Sequence, residues 1–301
     1  MVELAVLFKR FSNNDFIFCH LCNSERLKAV EHFVQRLIWE KEEVERSRSE
    51  AINTKKLKPG VSQITRYLQP PADTCYPLEY AFHLLGDVRG KDVLDLGCGS
   101  GENTLLLAHR KANVIALDIS PDLIDIAKRR MSINKPFSDV KFLTASAHDL
   151  PLPDESVDVV FGIAILHHLD MATISAQIMR VLRPGGRAIF QEPVRDSRLL
   201  RIVREAIPYK QKDVSSFEYP LCNRDIVILV KPFESYRAKD FQLPFVRLAR
   251  VLRWHRWVPR LYKADRRLLD RFPALGHYAT VRVLELTKAR EERPSERTLA
   301  G

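Results

Sequence analysis

The stretch Val93-Leu94-Asp95-Leu96-Gly97-Cys98-Gly99-Ser100-Gly101-Glu102-Asn103-Thr104-Leu105 organises the chain. An apolar run ends in an acid, three glycines follow at every second position, and a helix-compatible segment, Glu102 to His109, starts at once. That order reads as strand, tight loop, helix. Glycines permit positive φ and close approach of the backbone to a ligand, and the free N–H groups of a helix start favour a polar or anionic group. The loop is a cradle.

Its spacing narrows what it holds. A dinucleotide-binding loop has G-x-G-x-x-G, whereas this one is Asp95-x-Gly97-x-Gly99-x-Gly101, with the third glycine one residue early. A second acid, Asp118, closes the next apolar run, Val114-Ile115-Ala116-Leu117, where a carboxylate at a strand end can accept two ribose hydroxyls. Further on stand Asp149-Leu150-Pro151-Leu152-Pro153-Asp154-Glu155-Ser156-Val157-Asp158-Val159-Val160, then Leu166-His167-His168-Leu169, then Arg180-Val181-Leu182-Arg183-Pro184-Gly185-Gly186. In this order the motifs resemble the class I S-adenosylmethionine-dependent methyltransferases, and within them the type-11 group that includes quinone-modifying and small-molecule enzymes. The resemblance runs from Lys91 to Glu192, extends to the last strand and is weak elsewhere.

Composition sets the outer limits. With 301 residues, 46% hydrophobic and 29% charged, the chain can bury a full core. No apolar run approaches the roughly 20 residues that span a bilayer. Glu3 interrupts the apolar start, and Lys9 and Arg10 follow it, so a signal peptide is not expected. Five cysteines in no regular pattern suit a reducing cytoplasm, where the sequence places the chain. Cys19 and Cys22 form a single Cys-x-x-Cys; a structural zinc site needs four ligands, so no metal is expected.

From Glu25 to Lys58 the sequence predicts a helix. Leu27, Val30, Phe33, Val34, Leu37 and Ile38 recur at three- and four-residue spacing and predict one buried stripe, while Glu40 to Arg48 is highly charged and predicted to be exposed. Strand and helix then alternate, which predicts a doubly wound, mostly parallel Rossmann-like sheet with helices on both faces. Strands are expected at Val93–Leu96, Asn113–Asp118, Val140–Thr144, Val157–Ile163 and Arg187–Glu192, with Ser120 capping a helix that begins at Pro121 and another helix over Asp170–Leu182. A further strand is expected at Ser235–Phe241. Tyr278–Thr287 reads as the final strand, antiparallel in the family the chain resembles, and Ala289–Gly301 as a loose tail. The domain reading is 1–60 an N-terminal helical extension, 61–193 the cofactor-binding core, 194–277 a substrate-cap region, and 278–301 the last strand and tail.

The resemblance implies residue roles. Asp95, Gly97, Cys98, Gly99 and Gly101 would line the methionine part of S-adenosylmethionine, Asp118 would hold the ribose, and Ile119 would lie on the adenine face. Ser146 and Ala147 fall where the family contacts the adenine edge, although relatives commonly carry an acid at the Ser146 position. Ala164 and the Leu166–His168 stretch would lie beside the sulfonium. Helices before the first strand usually form a lid, which makes Arg66, Tyr67, Tyr76 and Tyr80 candidates for contact with cofactor or acceptor, with core packing the competing role. His167, His168 and Glu192 are candidates for a base or an acceptor-positioning group, Glu192 being equally able to cap the next helix.

Charge is uneven. Val194 to Gly301 holds 24 Lys and Arg against 13 Asp and Glu, a net of +11, while the chain as a whole carries +10. The excess lies largely in Phe245–Phe272, where arginines alternate with Leu248, Leu252, Trp254, Trp257 and Leu261, and where Pro259 and Pro273 are expected to divide two short helices. The favoured reading is a cap whose apolar side, Trp254 included, closes an acceptor pocket. An anionic membrane surface and RNA phosphates are the other partners such a composition could meet, in that order. No Asn-Pro-Pro-Tyr-like base clamp follows the fourth strand, where Ala164-Ile165-Leu166-His167 stands, which counts against methylation of a nucleobase nitrogen. The sequence thus points to methyl transfer from S-adenosylmethionine to a small, hydrophobic acceptor, with an RNA methyltransferase or a non-catalytic cofactor-binding protein as alternatives.

Overall fold

The computed structural model describes residues 20–54, 57–197 and 220–290. The chain divides into two compact units, up to Glu42 and from Glu43 onward, and the boundary falls within α1 (His20–Asn53). Side chains on this helix reverse the expected pattern. Val30, Phe33, Leu37 and Ile38, predicted to be buried, are all exposed, Val30 by 54%. In the second unit the charged stretch is the part that finds partners: Ser47 is buried, Glu43 lies 3.6 Å from His168, and Arg48 donates to Asp122 at 3.3 Å. Periodicity aligns residues on one face of a helix, but the partners available decide which face is covered. Cys19 lies outside the described residues.

After α2 (Val61–Leu68) and α3 (Pro77–Leu85) come β1 (Asp92–Leu96), α4 (Glu102–His109), β2 (Asn113–Asp118), α5 (Pro121–Asn134), β3 (Val140–Thr144) and β4 (Val157–Ile163). A 3-10 turn (Leu166–His168), α6 (Met171–Val181) and β5 (Leu182–Pro193) follow, then α7 (Asn223–Val230), β6 (Ser235–Phe241), α8 (Pro244–Val251), α9 (Val258–Arg271), a second 3-10 turn (Pro273–Tyr278) and β7 (Val281–Thr287). Ser120 caps α5, accepting from the Leu123 N–H, and Asp170 caps α6, accepting from Thr173 at 2.8 Å. The expected tail falls largely outside the described residues.

The strands form one seven-stranded sheet in the order β3-β2-β1-β4-β5-β7-β6, parallel except that β7 runs antiparallel to both β5 and β6. Neighbouring residues on the inner strands serve opposite faces. Leu94, Val160 and Phe190 pack with Ile174 of α6 and Leu229 of α7, whereas Val93, Phe161 and Ile189 pack with Phe82 of α3 and Leu107 of α4. Coverage on both faces is why these strands read as continuous apolar runs.

Several boundaries differ from expectation, among them those of the first helix, which runs His20–Asn53 and not Glu25–Lys58. β5 begins at Leu182, directly after α6, and the Arg183–Gly186 segment is absorbed by a register shift opposite Val157 and Val159. β7 begins only at Val281, because Pro273 opens a 3-10 turn. Pro259 opens α9 rather than breaking a helix; the break comes earlier, where Arg253 adopts a left-handed φ of 57°.

The register brings the ends of β5, β7 and β6 together, Pro193 pairing with Val281 and Val281 with Phe241. Next to this corner the buried Arg282 donates to Asp240 at 2.7 Å, Asn223 at 2.8 Å and Asp196 at 3.1 Å. Removing one member of a buried ion network leaves the others uncompensated. Arg282→Ala is therefore expected to lower the unfolding free energy by about 3 kcal/mol, measured by urea denaturation.

Candidate functional site

The glycine loop is suspended from the neighbouring strand. The N–H groups of Gly97 and Cys98 both donate to the Leu117 carbonyl, at 2.8 and 2.9 Å. Asp118 then joins the two loops: its carboxylate accepts from the Gly99 N–H at 2.8 Å and from the Ser120 N–H at 2.9 Å. Gly101 has φ 80°, and a Cβ there would stand 2.7 Å from the Ala127 Cβ, so only glycine lets α4 and α5 meet at this point. A Cβ at Gly99 would meet nothing within 4 Å. The loop is thus closed behind and open at Gly99. Arg130, buried on α5, donates to the Ser100 carbonyl at 2.8 Å and braces the loop from outside.

Asp95 lies beneath, almost fully buried, and accepts from the Thr104 hydroxyl at 2.5 Å. Burial pushes its carboxyl up to about 7, the Thr104 bond opposing and the Asp118 charge adding to the rise. Asp118 is raised too, again by burial first, against its two N–H donors; Glu43 and Glu50 add to it. Cys98 is buried and its thiol is pushed far above the ordinary value, mainly by burial, which suits a packed residue and not a nucleophile.

After β3, Ser146 accepts from the His148 N–H at 3.1 Å, and Ala147 is buried in the core. His148, also buried, accepts the Asp170 N–H on Nε2 at 3.0 Å and so ties this loop to the cap of α6. Ile119 is half-buried at the end of β2.

The turn after β4 is the most constrained part. Ala164 is exposed with φ 56°, a conformation that costs a non-glycine residue about 1–2 kcal/mol, and its N–H donates to the Gln191 carbonyl at 2.8 Å. Glu192, fully buried, uses both oxygens: Oε1 accepts from the Ile165 and Leu166 N–H groups at 2.9 and 2.8 Å, and Oε2 lies 2.8 Å from His167 Nδ1. Glu192 thus caps the 3-10 turn and fixes His167. The rings of His167 and His168 are 4.0 Å apart, and His168 Nδ1 lies 3.6 Å from Glu43.

The remaining candidates fall elsewhere. Tyr67 packs on Phe82, with ring centres 5.3 Å apart, as part of the core. Tyr76 packs at a tilt against Tyr262, ring centres 4.8 Å apart, under the Arg66 guanidinium, and Arg66 itself pairs with Glu79. Tyr80 lies beneath Lys239. Trp254 is 56% exposed. A cleft of about 740 Å³ lies at the opposite, amino edge of the sheet, lined by Asp87, Arg89, His109 and Arg110; its two arginines already serve Asp87 and backbone carbonyls. Among the described residues no group of His, Cys, Asp and Glu is arranged to hold a metal ion. Sequence reasoning missed Thr104, Arg130, His148 and Glu43. Each acts on a group 9 or more residues away, and no local spacing signals that.

Two outcomes follow from this geometry. Gly101→Ala is expected to separate α4 from α5 and weaken S-adenosylhomocysteine binding at least about tenfold, read by calorimetry. Asp95 in the folded chain holds its proton above the 3.8 of an ordinary aspartate, so its contribution to stability is full below that pH and is lost as pH rises toward about 7. Melting temperature should therefore fall less over this window in Asp95→Asn, which keeps the Thr104 bond; an unchanged slope would remove Asp95 as its source.

The methyltransferase domain family matches residues 94–190. The O-methyltransferase cnsE of Penicillium expansum is 38% identical over 114 residues, 37% of this chain and 41% of its own length. A demethylmenaquinone methyltransferase of Lactococcus lactis subsp. lactis is 34% identical over 137 residues, 44% of this chain and 53% of its own. The chain thus spans about half the length, or less, of these curated relatives. Among solved structures, the geranyl diphosphate C-methyltransferase of Streptomyces coelicolor A3(2) is 17% identical with a TM-score of 0.49, covering 70% of this chain and 78% of that one. On the match over the glycine loop, both acids and the turn after β4, residues 94–190 belong to the class I S-adenosylmethionine-dependent methyltransferases of type 11.

Proposed function

We propose that the chain transfers the methyl group of S-adenosylmethionine to a small, apolar acceptor carrying a hydroxyl. The observation that carries this reading is the loop open at Gly99 between two buried carboxylates, Asp95 and Asp118, inside the matched domain. The residues present fit the cofactor. Asp95 suits the ammonium of its methionine end, Asp118 the ribose hydroxyls, and Ile119 with Ala147 the adenine. When bound, the cofactor supplies a sulfonium-activated methyl, an electrophile that needs alignment more than activation.

The chain's own part is to align and to take a proton. Glu192 holds the 165–167 turn by two backbone bonds, so Ala164 and His167 stand in fixed positions at the carboxyl end of β4. A carboxylate at Nδ1 selects the tautomer that carries hydrogen there, which makes Nε2 the basic nitrogen. His167 is the base we assign, whose Nε2 would take the hydroxyl proton of the acceptor; His168, turned toward Glu43, is a positioning residue. One relative is an O-methyltransferase, which supports an oxygen acceptor, and the other is a demethylmenaquinone methyltransferase, which supports an apolar one.

The test is transfer of radiolabelled methyl from S-adenosylmethionine into a cell extract, separated into organic-soluble, aqueous, RNA and protein fractions. Label in the organic fraction is expected; label in RNA would overturn the reading, and bound cofactor with no label anywhere would favour a non-catalytic role. With an acceptor in hand, His167→Asn is expected to lower kcat by about 10²–10⁴ and to remove the acidic limb of the pH profile, with cofactor affinity kept.

A further inference from the structure

We propose that α8, the turn after it and the outer face of α9 form a docking surface for an anionic lipid bilayer. The proposal stands on surface chemistry alone and holds whatever the acceptor is. On α8, Val246 and Ala249 are buried while Phe245 and Leu248 point outward, followed by Leu252 on the same side. Trp254 and Trp257 are 56% and 54% exposed, and Arg253, Arg256 and Arg260 are exposed among them. No Asp or Glu occurs from Pro244 to Ala264.

The surface is held outward by its other side. Tyr262, Asp265 and Leu269 recur at three- and four-residue spacing and are buried; the Asp265 carboxylate accepts from the Leu243 N–H at 2.9 Å, and the Tyr262 hydroxyl lies 3.0 Å from Gln242 Nε2. The turn is fixed as well. The Trp254 N–H donates to the Ala249 carbonyl at 2.8 Å across Arg253, whose φ of 57° is one that favours glycine. An arginine stands at a strained position between exposed apolar side chains. Because α8 leaves the sheet at the end of β6, level with Pro193, this surface flanks the edge that carries the glycine loop and the turn after β4.

Charge and shape together select the occupant. Tryptophan at the headgroup level, aliphatic side chains beneath it and arginines at the phosphates are what an anionic interface accommodates at once. RNA would use the arginines and could stack on the indoles, but would leave Phe245, Leu248 and Leu252 in water. A second copy of the chain would set this cationic surface against a molecule of net charge +10.

The experiment is co-sedimentation of the full chain with vesicles of phosphatidylcholine mixed with phosphatidylglycerol and, separately, of phosphatidylcholine alone. Binding is expected to the mixed vesicles and to be about tenfold or more weaker to the neutral ones. Trp254→Ser combined with Trp257→Ser should weaken binding to mixed vesicles by about tenfold with the melting temperature unchanged, as both indoles are exposed. Arg253→Glu with Arg256→Glu should do the same. No binding to mixed vesicles, or binding that the tryptophan pair does not alter, would overturn the proposal. So would failure to bind vesicles together with tight binding of a single-stranded RNA oligonucleotide, which would reassign the arginines to phosphates of a nucleic acid.

Discussion

Three buried carboxylates at the carboxyl edge of the sheet determine how the rest of this edge is built. Asp95 is the last residue but one of β1, Asp118 ends β2 and Glu192 stands near the end of β5, all at most 8% exposed. Asp95 accepts from a hydroxyl, Asp118 from two backbone N–H groups, and Glu192 meets two N–H groups and an imidazole. Satisfying them fixes the glycine loop to β2, the start of α5 to the same carboxylate, and the turn after β4 to β5. Burial is the main reason that Asp95 and Asp118 are raised, with Asp118 adding to the first and Glu43 and Glu50 to the second. The negative potential at this edge suits a ligand that carries both an ammonium and a sulfonium.

The core was legible because its sequence signals are local. β2, β3, β4, β6, α4 and the start of α5 fall where alternation, glycine spacing and the Ser120-Pro121 cap put them. Amphipathic helices outside the core were legible only in part. Spacing shows that Val30, Phe33 and Leu37 share a face, and that Phe245, Leu248 and Leu252 do, but burial requires a complementary apolar surface elsewhere in the fold. In both cases the face exists and is exposed. In α1 the charged residues instead find His168 and Asp122 as partners.

The site divides along the same line. The residues of the glycine loop, Asp118 and Ala164 could be assigned from motif position, whereas the groups that hold them come from far along the chain: Arg130 is 30 residues from Ser100, and Glu192 is 27 from Ile165. Motif reading placed Glu192 correctly at the end of the fifth strand but could not see that two N–H groups and His167 would occupy its oxygens. Three donors hold this carboxylate in place, and releasing one of them would cost about 1–3 kcal/mol. What it does in the fold is position the turn and His167.

That assignment fits what methyl transfer asks of a protein. In-line displacement gains most of its rate from fixed geometry, so strain is worth keeping where it holds the reacting groups in place. Ala164 is kept in the left-handed region by its own bond to the Gln191 carbonyl and by Glu192 on the next two peptides, which makes β5 the template for the turn after β4. Side-chain chemistry is then needed for one task alone, removal of a proton from an acceptor that has one to lose. Of the two adjacent histidines, only His167 is held by Glu192; His168 faces Glu43 of α1. Position thus gives two identical side chains different partners, a carboxylate of β5 for one and a carboxylate of α1 for the other.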